Sequence, residues 1–152
     1  MPTLAPVVSV EPTLEPVTAA EVKKQLELPP NDSTHDTHID RLITQAREQF
    51  EHDTGIVCLT TTVVEKLDEW PVDYIELHRR PVQSVTSVAY LDIDGNSQTW
   101  SSSNYEVDTG RVTPVIWPAY NVEWPQARSI QNAITITYVA GDTSQANLSE
   151  QI

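Results

Sequence analysis

Two short runs carry side chains that could hold a metal ion. His35-Asp36-Thr37-His38-Ile39-Asp40 gathers two imidazoles and two carboxylates, the donor types that bind zinc when three or four converge. The run straddles a predicted helix start, where acidic groups are expected because they face the positive end of the helix dipole. No third or fourth ligand group is suggested elsewhere, so the spacing points to helix capping.

Asp92-Ile93-Asp94-Gly95-Asn96 begins like a calcium loop. In the helix–loop–helix calcium site, glycine stands at the sixth position and a bidentate glutamate at the twelfth. Here, counting from Asp92, Gly95 comes fourth and Ser103 twelfth, and Asp-Gly between alternating apolar residues predicts a type I′ hairpin turn instead. No metal and no cofactor is expected.

Nucleophilic chemistry has little support. The single cysteine, Cys58, stands beside Leu59 at the start of a strand-like run, which fits a small buried side chain better than a reactive thiol. With only four glycines, the chain has little material for phosphate-cradling loops, and it shows no nucleophile motif and no zinc-binding cysteine pair. The chain is not expected to be an enzyme.

Surface contact has more candidates. Trp70, Trp117 and Trp124 each precede a proline, which forces an extended backbone at the tryptophan. Trp70 is expected in the core; Trp117 and Trp124 either anchor an interface or cap the ends of a β core. His78-Arg79-Arg80 is the one tight basic cluster, and it is either a solvated strand end or a partner for carboxylates on another subunit. The contact candidates are therefore Arg79, Arg80, Trp117 and Trp124.

Four segments position these residues. Residues 1–16 carry Pro2, Pro6, Pro12 and Pro16 without glycine, which favours an extended, polyproline-like arm over a packed element. Residues 17–56 form a helical part. Thr18-Ala-Ala-Glu21 is a capping box, the helix it opens stops at Pro29-Pro30, and a second helix starts near Asp36 or Thr37 with Ile39, Leu42, Ile43, Ala46 and Phe50 on one face and Gly55 after its end. From 57 to 141 the period changes to two, with strands predicted at 57–67, 73–77, 82–91, 97–100, 104–108 and 132–139. Along 82–91 both faces are partly apolar, so this strand is expected between two layers. A long irregular stretch holding Pro114, Pro118 and Pro125 lies between the last two strands, and residues 142–152 are a C-terminal tail. The fold class is α+β, two N-terminal helices with a β-sandwich or small barrel.

No apolar run approaches the roughly 20 residues that span a bilayer, and Met1 is not followed by a basic and then apolar leader; a soluble, unsecreted protein is expected. Its formal net charge of -13 opposes binding to nucleic acid over a broad surface, since phosphate contact needs clustered Lys and Arg.

The order of these blocks resembles the head-tail connector (adaptor) proteins of tailed bacteriophages and gene-transfer particles that carry a β insertion. The matching residues are Pro16-Val-Thr-Ala-Ala-Glu-Val-Lys-Lys-Gln-Leu26, His38-Ile-Asp-Arg-Leu-Ile-Thr-Gln-Ala-Arg47, Thr54-Gly55 and Arg80-Pro-Val-Gln-Ser-Val-Thr-Ser-Val-Ala-Tyr-Leu-Asp92, followed by Asn104-Tyr-Glu-Val-Asp108, Trp124-Pro125 and Ala133-Ile-Thr-Ile-Thr-Tyr-Val-Ala-Gly141. The resemblance implies a homo-oligomeric ring of about twelve copies in the virion neck, made in the host cytoplasm. Its partners would be the portal protein and the tail or neck proteins, with no membrane. Double-stranded DNA would pass through the tunnel without sequence-specific binding, and a negative wall would keep that passage free of sticking.

Two features depart from the family: the proline-rich extension before residue 16, and the end of the chain. After Gly141 the family usually continues into a helix or helices that pack on the front helices and reach the portal, whereas this sequence stops at Asn147-Leu-Ser-Glu-Gln-Ile152, which resembles the start of a helix cut short, so the C-terminal helix is expected to be truncated or missing. If the chain is complete, the two front helices need cover from neighbouring subunits; if it is a fragment, the missing part would be the portal-binding one. The reading from another class is a β-sandwich binding module for carbohydrate or a receptor, with Trp100, Trp117 and Trp124 as a stacking platform.

Overall fold

The structure, a computed structural model, describes residues 6–142. The expectation for the 142–152 tail therefore lies, beyond Asp142 itself, outside the described residues.

Thr18 opens the first helix as its spacing predicts. Its hydroxyl accepts the Glu21 amide at 3.3 Å, while Glu21 Oε2 accepts the Thr18 amide at 2.7 Å, so two otherwise orphaned amides are satisfied at the start of α1 (Ala19–Gln25). The second helix, α2 (Asp36–Thr54), ends where Gly55 adopts a left-handed φ of 71° and its amide reaches the Glu51 carbonyl at 3.0 Å. At its other end His35 makes no side-chain cap, and Asp36 in the first turn pairs with the buried Lys23 of α1. Ile39 and Ile43 are buried, but Leu42, Ala46 and Phe50 are exposed. The five-residue apolar face expected of α2 is thus only half covered, because α1 is two turns long and shields a narrow strip.

Among the described residues there are eight strands: β1 (Val7–Val10), β2 (Thr61–Leu67), β3 (Ile75–Glu76), β4 (Val82–Leu91), β5 (Ser97–Trp100), β6 (Tyr105–Asp108), β7 (Val115–Pro118) and β8 (Ile134–Ala140). They form a five-stranded sheet in the order β1-β2-β8-β4-β5 and a three-stranded sheet in the order β3-β7-β6, antiparallel throughout. In β2 the buried residues are Thr61, Val63, Glu65 and Leu67, and in β8 Ile134, Ile136, Tyr138 and Ala140, the strict alternation of strands with one face inward. Ile75 of β3, Tyr105 of β6 and Ile116 of β7 join them with Val88 and Trp100 in one buried cluster, so both sheets share a core.

Several expectations are corrected. The proline-rich arm is not free of secondary structure: Val-Val-Ser-Val between Pro6 and Pro12 keeps all its amides and pairs with β2, Val7 against Val64 and Val8 against Val63. The run from 57 becomes a strand only at Thr61, after the irregular but buried Val57, Cys58 and Leu59. Within the stretch expected to be irregular, Val115–Pro118 is the central strand of the smaller sheet; Pro114 precedes it and Pro118 ends it opposite Tyr105, so neither proline stands in its middle. In β4, register shifts between Val82 and Ser84 and between Val85 and Ser87 reset the alternation. Val82, Val85, Val88 and Tyr90 therefore pack on the core, while Ser84 and Thr86 are exposed, and the strand has one buried face instead of two.

The hairpin turn is also of another type. Only Gly95 has positive φ, at 88°, whereas type I′ requires it at both central residues. The Gly95 amide reaches the Asp92 carbonyl at 2.9 Å, and Asp92 Oδ1 accepts the Asp94 and Asn96 amides at 3.1 and 2.8 Å. The Asp92 carboxylate thereby folds a longer turn that a two-residue loop would not need.

Candidate subunit-interface residues

The basic cluster 78–80 lies where the end of α2 meets the β part. Arg79 turns inward: Nη1 donates to the Glu51 carbonyl, and its amide donates to the Tyr138 hydroxyl at 3.1 Å. A cation at the carbonyl end of a helix is favoured by the helix dipole. Arg80 is held by its backbone, its amide reaching Gly55 O at 3.1 Å and its carbonyl accepting Val57 N–H at 2.7 Å, and its guanidinium donates to Val112 O at 3.2 Å. Its peptide bond to Pro81 is cis.

His78 presides over a buried carboxylate. Glu65, with its side chain 1% exposed, accepts the His78 amide at 2.9 Å, pairs with His78 Nδ1 at 3.0 Å, and accepts the Tyr138 hydroxyl. Every oxygen of a carboxylate that water cannot reach is thus satisfied. The hydrogen bond that His78 makes to Glu65 raises the His78 pKa above its ordinary value, against the opposing effect of burial; burial, with Glu65 beside it, raises that of Tyr138.

A second buried charge, Arg47 on α2, was not singled out by sequence. Nε meets Glu15 at 2.9 Å, Nη1 meets Glu51 at 3.2 Å and Nη2 lies 3.6 Å from Glu11, while Glu51 also accepts the Cys58 amide at 2.9 Å. Burial opposes the charge on Arg47, but the hydrogen bond it donates to Glu15 and the charges of Glu15, Glu51 and Glu11 outweigh it and raise its pKa. The available signal was spacing: Arg47 follows Ile39 and Ile43 at intervals of four, so it had to enter the same buried face. Cys58, beside this cluster, has its thiol pushed up to about 11, by burial first and by Glu51 second, in line with an unreactive side chain.

The tryptophans separate. Trp124 stacks on Trp70 with centroids 4.8 Å apart and planes 13° from parallel, and lies 5.1 Å from Trp100. Trp100 is 6% exposed and also packs against Tyr105 at 5.4 Å. A platform of Trp100, Trp117 and Trp124 is therefore not available to a sugar, because two of the three face one another at the core. Trp117 stands apart on β7 opposite Glu106. It lines a shallow cavity of about 310 Å³ with Val72, Asp73, Tyr74, Arg111 and Val115, at whose rim Val72 is 91% exposed. A second cavity, of about 320 Å³, opens between the helices and the arm, lined by Val17, Val22, Leu26, Leu42 and Ala46 among others.

His35, at the cap of α2, and His38, in its first turn, are exposed, and among the described residues no group of three or more His, Cys, Asp or Glu converges as metal ligands would. Among those residues no helix is long and apolar enough to cross a membrane.

No protein-family model and no curated protein matches the chain. Solved structures do share its fold. A chain in the virion of a native gene transfer agent particle superposes with a TM-score of 0.73 at 17% identity, over 91% of this chain and 72% of that one. A chain in the neck of an empty gene transfer agent particle, computed with C6 symmetry, gives 0.69 at 20% identity over 93% and 71%. One in the neck of the native particle, computed with C12 symmetry, gives 0.65 at 16% over 90% and 70%.

Proposed function

We propose that this chain is a structural virion protein of the neck, a head-tail connector whose copies form a ring between the portal and the tail and line the passage for the genome. The observation that carries the reading is the fold, shared over nine-tenths of this chain with chains of gene-transfer-agent virion and neck particles. Charge agrees with it. At a net -13 per copy, a ring of such chains presents a wall that repels phosphate, so DNA moves past without being held.

The surfaces proposed for contact are those that burial leaves unfinished. Leu26, Leu42 and Phe50 are 60, 50 and 45% exposed on the helices, an apolar shoulder suited to a neighbouring copy or the portal. Trp117 with its groove is the contact proposed on the β part, together with Arg80, whose guanidinium donates to Val112 O. Purified protein imaged by negative-stain electron microscopy, alone and with the portal of the same particle, tests this reading. Closed rings that seat on the portal support it, and monodisperse monomers under both conditions count against it.

A further inference from the structure

Among the described residues the five-stranded sheet is open at both ends, with β1 at one edge and β5 at the other. Open edges offer a row of unpaired amides and carbonyls to any extended chain, and proteins that remain alone usually blunt them with charge or proline. Charge and internal proline are both absent from these strands, Val7-Val-Ser-Val10 and Ser97-Gln-Thr-Trp100, and β1 carries a single register irregularity, between Val8 and Val10. Val7 and Val10 are 60 and 58% exposed, and Ser97, Gln98 and Thr99 are exposed at the other edge.

We propose that β1 of one copy pairs with β5 of the next, joining neighbouring sheets edge to edge; this rests on the ring reading and names the contact within it. The occupant follows from charge. Copies carrying -13 each repel one another, so self-association is least opposed where the contact is made by neutral backbone dipoles and uncharged side chains. The two edges also match in length at four residues each.

Direction and symmetry agree. Four successive antiparallel pairings separate β1 from β5, so the two edges run in the same sense within one copy. The small rotation between neighbours in a ring preserves that sense, and the new pairing is parallel. Joining two different edges is a head-to-tail contact, the kind that closes into a ring instead of stopping at a dimer.

The test is a covalent trap in the full chain carrying Cys58→Ala, Val7→Cys and Ser97→Cys. Within one copy the two edges are four strand spacings apart, about 19 Å, well beyond the roughly 7 Å that a disulfide spans between Cα atoms, so any disulfide joins two copies. Mild oxidation is expected to give a ladder of covalent multimers on a non-reducing denaturing gel, with either single-cysteine variant stopping at dimers. As a second measurement with Cys58 intact, Val10→Lys with Thr99→Lys is expected to raise the concentration needed for assembly at least tenfold while the monomer melts as before. Rings in electron micrographs without a ladder overturn the edge pairing and leave the ring reading standing. A ladder that ends at dimers overturns its head-to-tail form, and the absence of both rings and ladder overturns the pairing together with the reading it rests on.

Discussion

Arg47 Nε on α2 lies 2.9 Å from the Glu15 carboxylate of the N-terminal strap, and through Glu51 the same guanidinium is linked to the Cys58 amide that leads into the β part. A buried cation thereby joins three segments of the chain. The strap runs from this clasp to the sheet edge, where Ser9 donates to Thr62 O at 3.2 Å.

Removing the cation leaves Glu51 buried without its counter-charge, and breaking a buried pair from one side costs about 3 kcal/mol or more. Arg47→Met is expected to lose that much in urea unfolding, and Glu15→Gln, which keeps Arg47 paired with Glu51, about 1 kcal/mol. Hydrogen exchange at Val7–Val10 should quicken in both variants while β8 amides stay protected; unchanged exchange at β1 would separate the clasp from the strand.

The pair His78–Glu65 makes stability depend on pH. Since its hydrogen bond to Glu65 raises the His78 pKa in the folded chain, the contribution is fully present below the unfolded value of about 6.5 and is lost as pH rises through the folded value. The melting temperature of the native chain minus that of His78→Gln should therefore be larger at about pH 6 than at about pH 9. Glu21, Asp32, Asp53 and Asp92 have lowered pKa values; their contributions fade only as pH falls through the acid range, so they cancel in this comparison. A difference that does not change with pH would remove the histidine from the account.

Gly141 closes β8 against the 57–60 segment. Its φ is 102°, its amide donates to Pro81 O at 2.8 Å, and an added methyl group would run into the Leu59 carbonyl. Gly141→Ala is expected to cost about 3 kcal/mol through combined strain and clash. Gly110→Ala, which meets only Asp108 Oδ1 at 3.4 Å, should be within about 0.5 kcal/mol of the native chain. Equal melting temperatures for the two variants would contradict the placement of the 141 turn.

Trp124 and Trp117 should separate stability from assembly. Losing the ring stacked on Trp70 leaves a cavity, so Trp124→Ala is expected to cost about 3 kcal/mol. Trp117→Ala is expected to cost about 1 kcal/mol in the monomer and to weaken assembly instead. Thermal melts paired with mass photometry check both; a Trp117 variant that assembles as well as the native chain removes it from the proposed interface.

What was legible in the sequence follows from how local each signal is. The Thr18–Glu21 box, the Gly55 helix end and the β4–β5 hairpin are set by neighbours in the chain, and their outlines were readable. The strap's pairing with β2 was not, because it depends on a partner more than fifty residues away that four short residues cannot specify. Bulges hid the inward face of β4, since each extra residue resets a period-two pattern that sequence reading assumes to be unbroken. Pro114 and Pro118 disguised β7, though prolines at strand ends sacrifice no central hydrogen bond. Of the candidate contact residues, Trp124 reads like Trp117 in sequence; only the stacking on Trp70 separates them.

Two-dimensional class averages of the purified protein decide whether copies of this chain assemble into a closed ring. Annular particles with cyclic symmetry and an open centre are expected, intact at salt concentrations that screen the repulsion between acidic copies. Single copies or irregular aggregates, persisting at high protein concentration and in the presence of the portal, would contradict it.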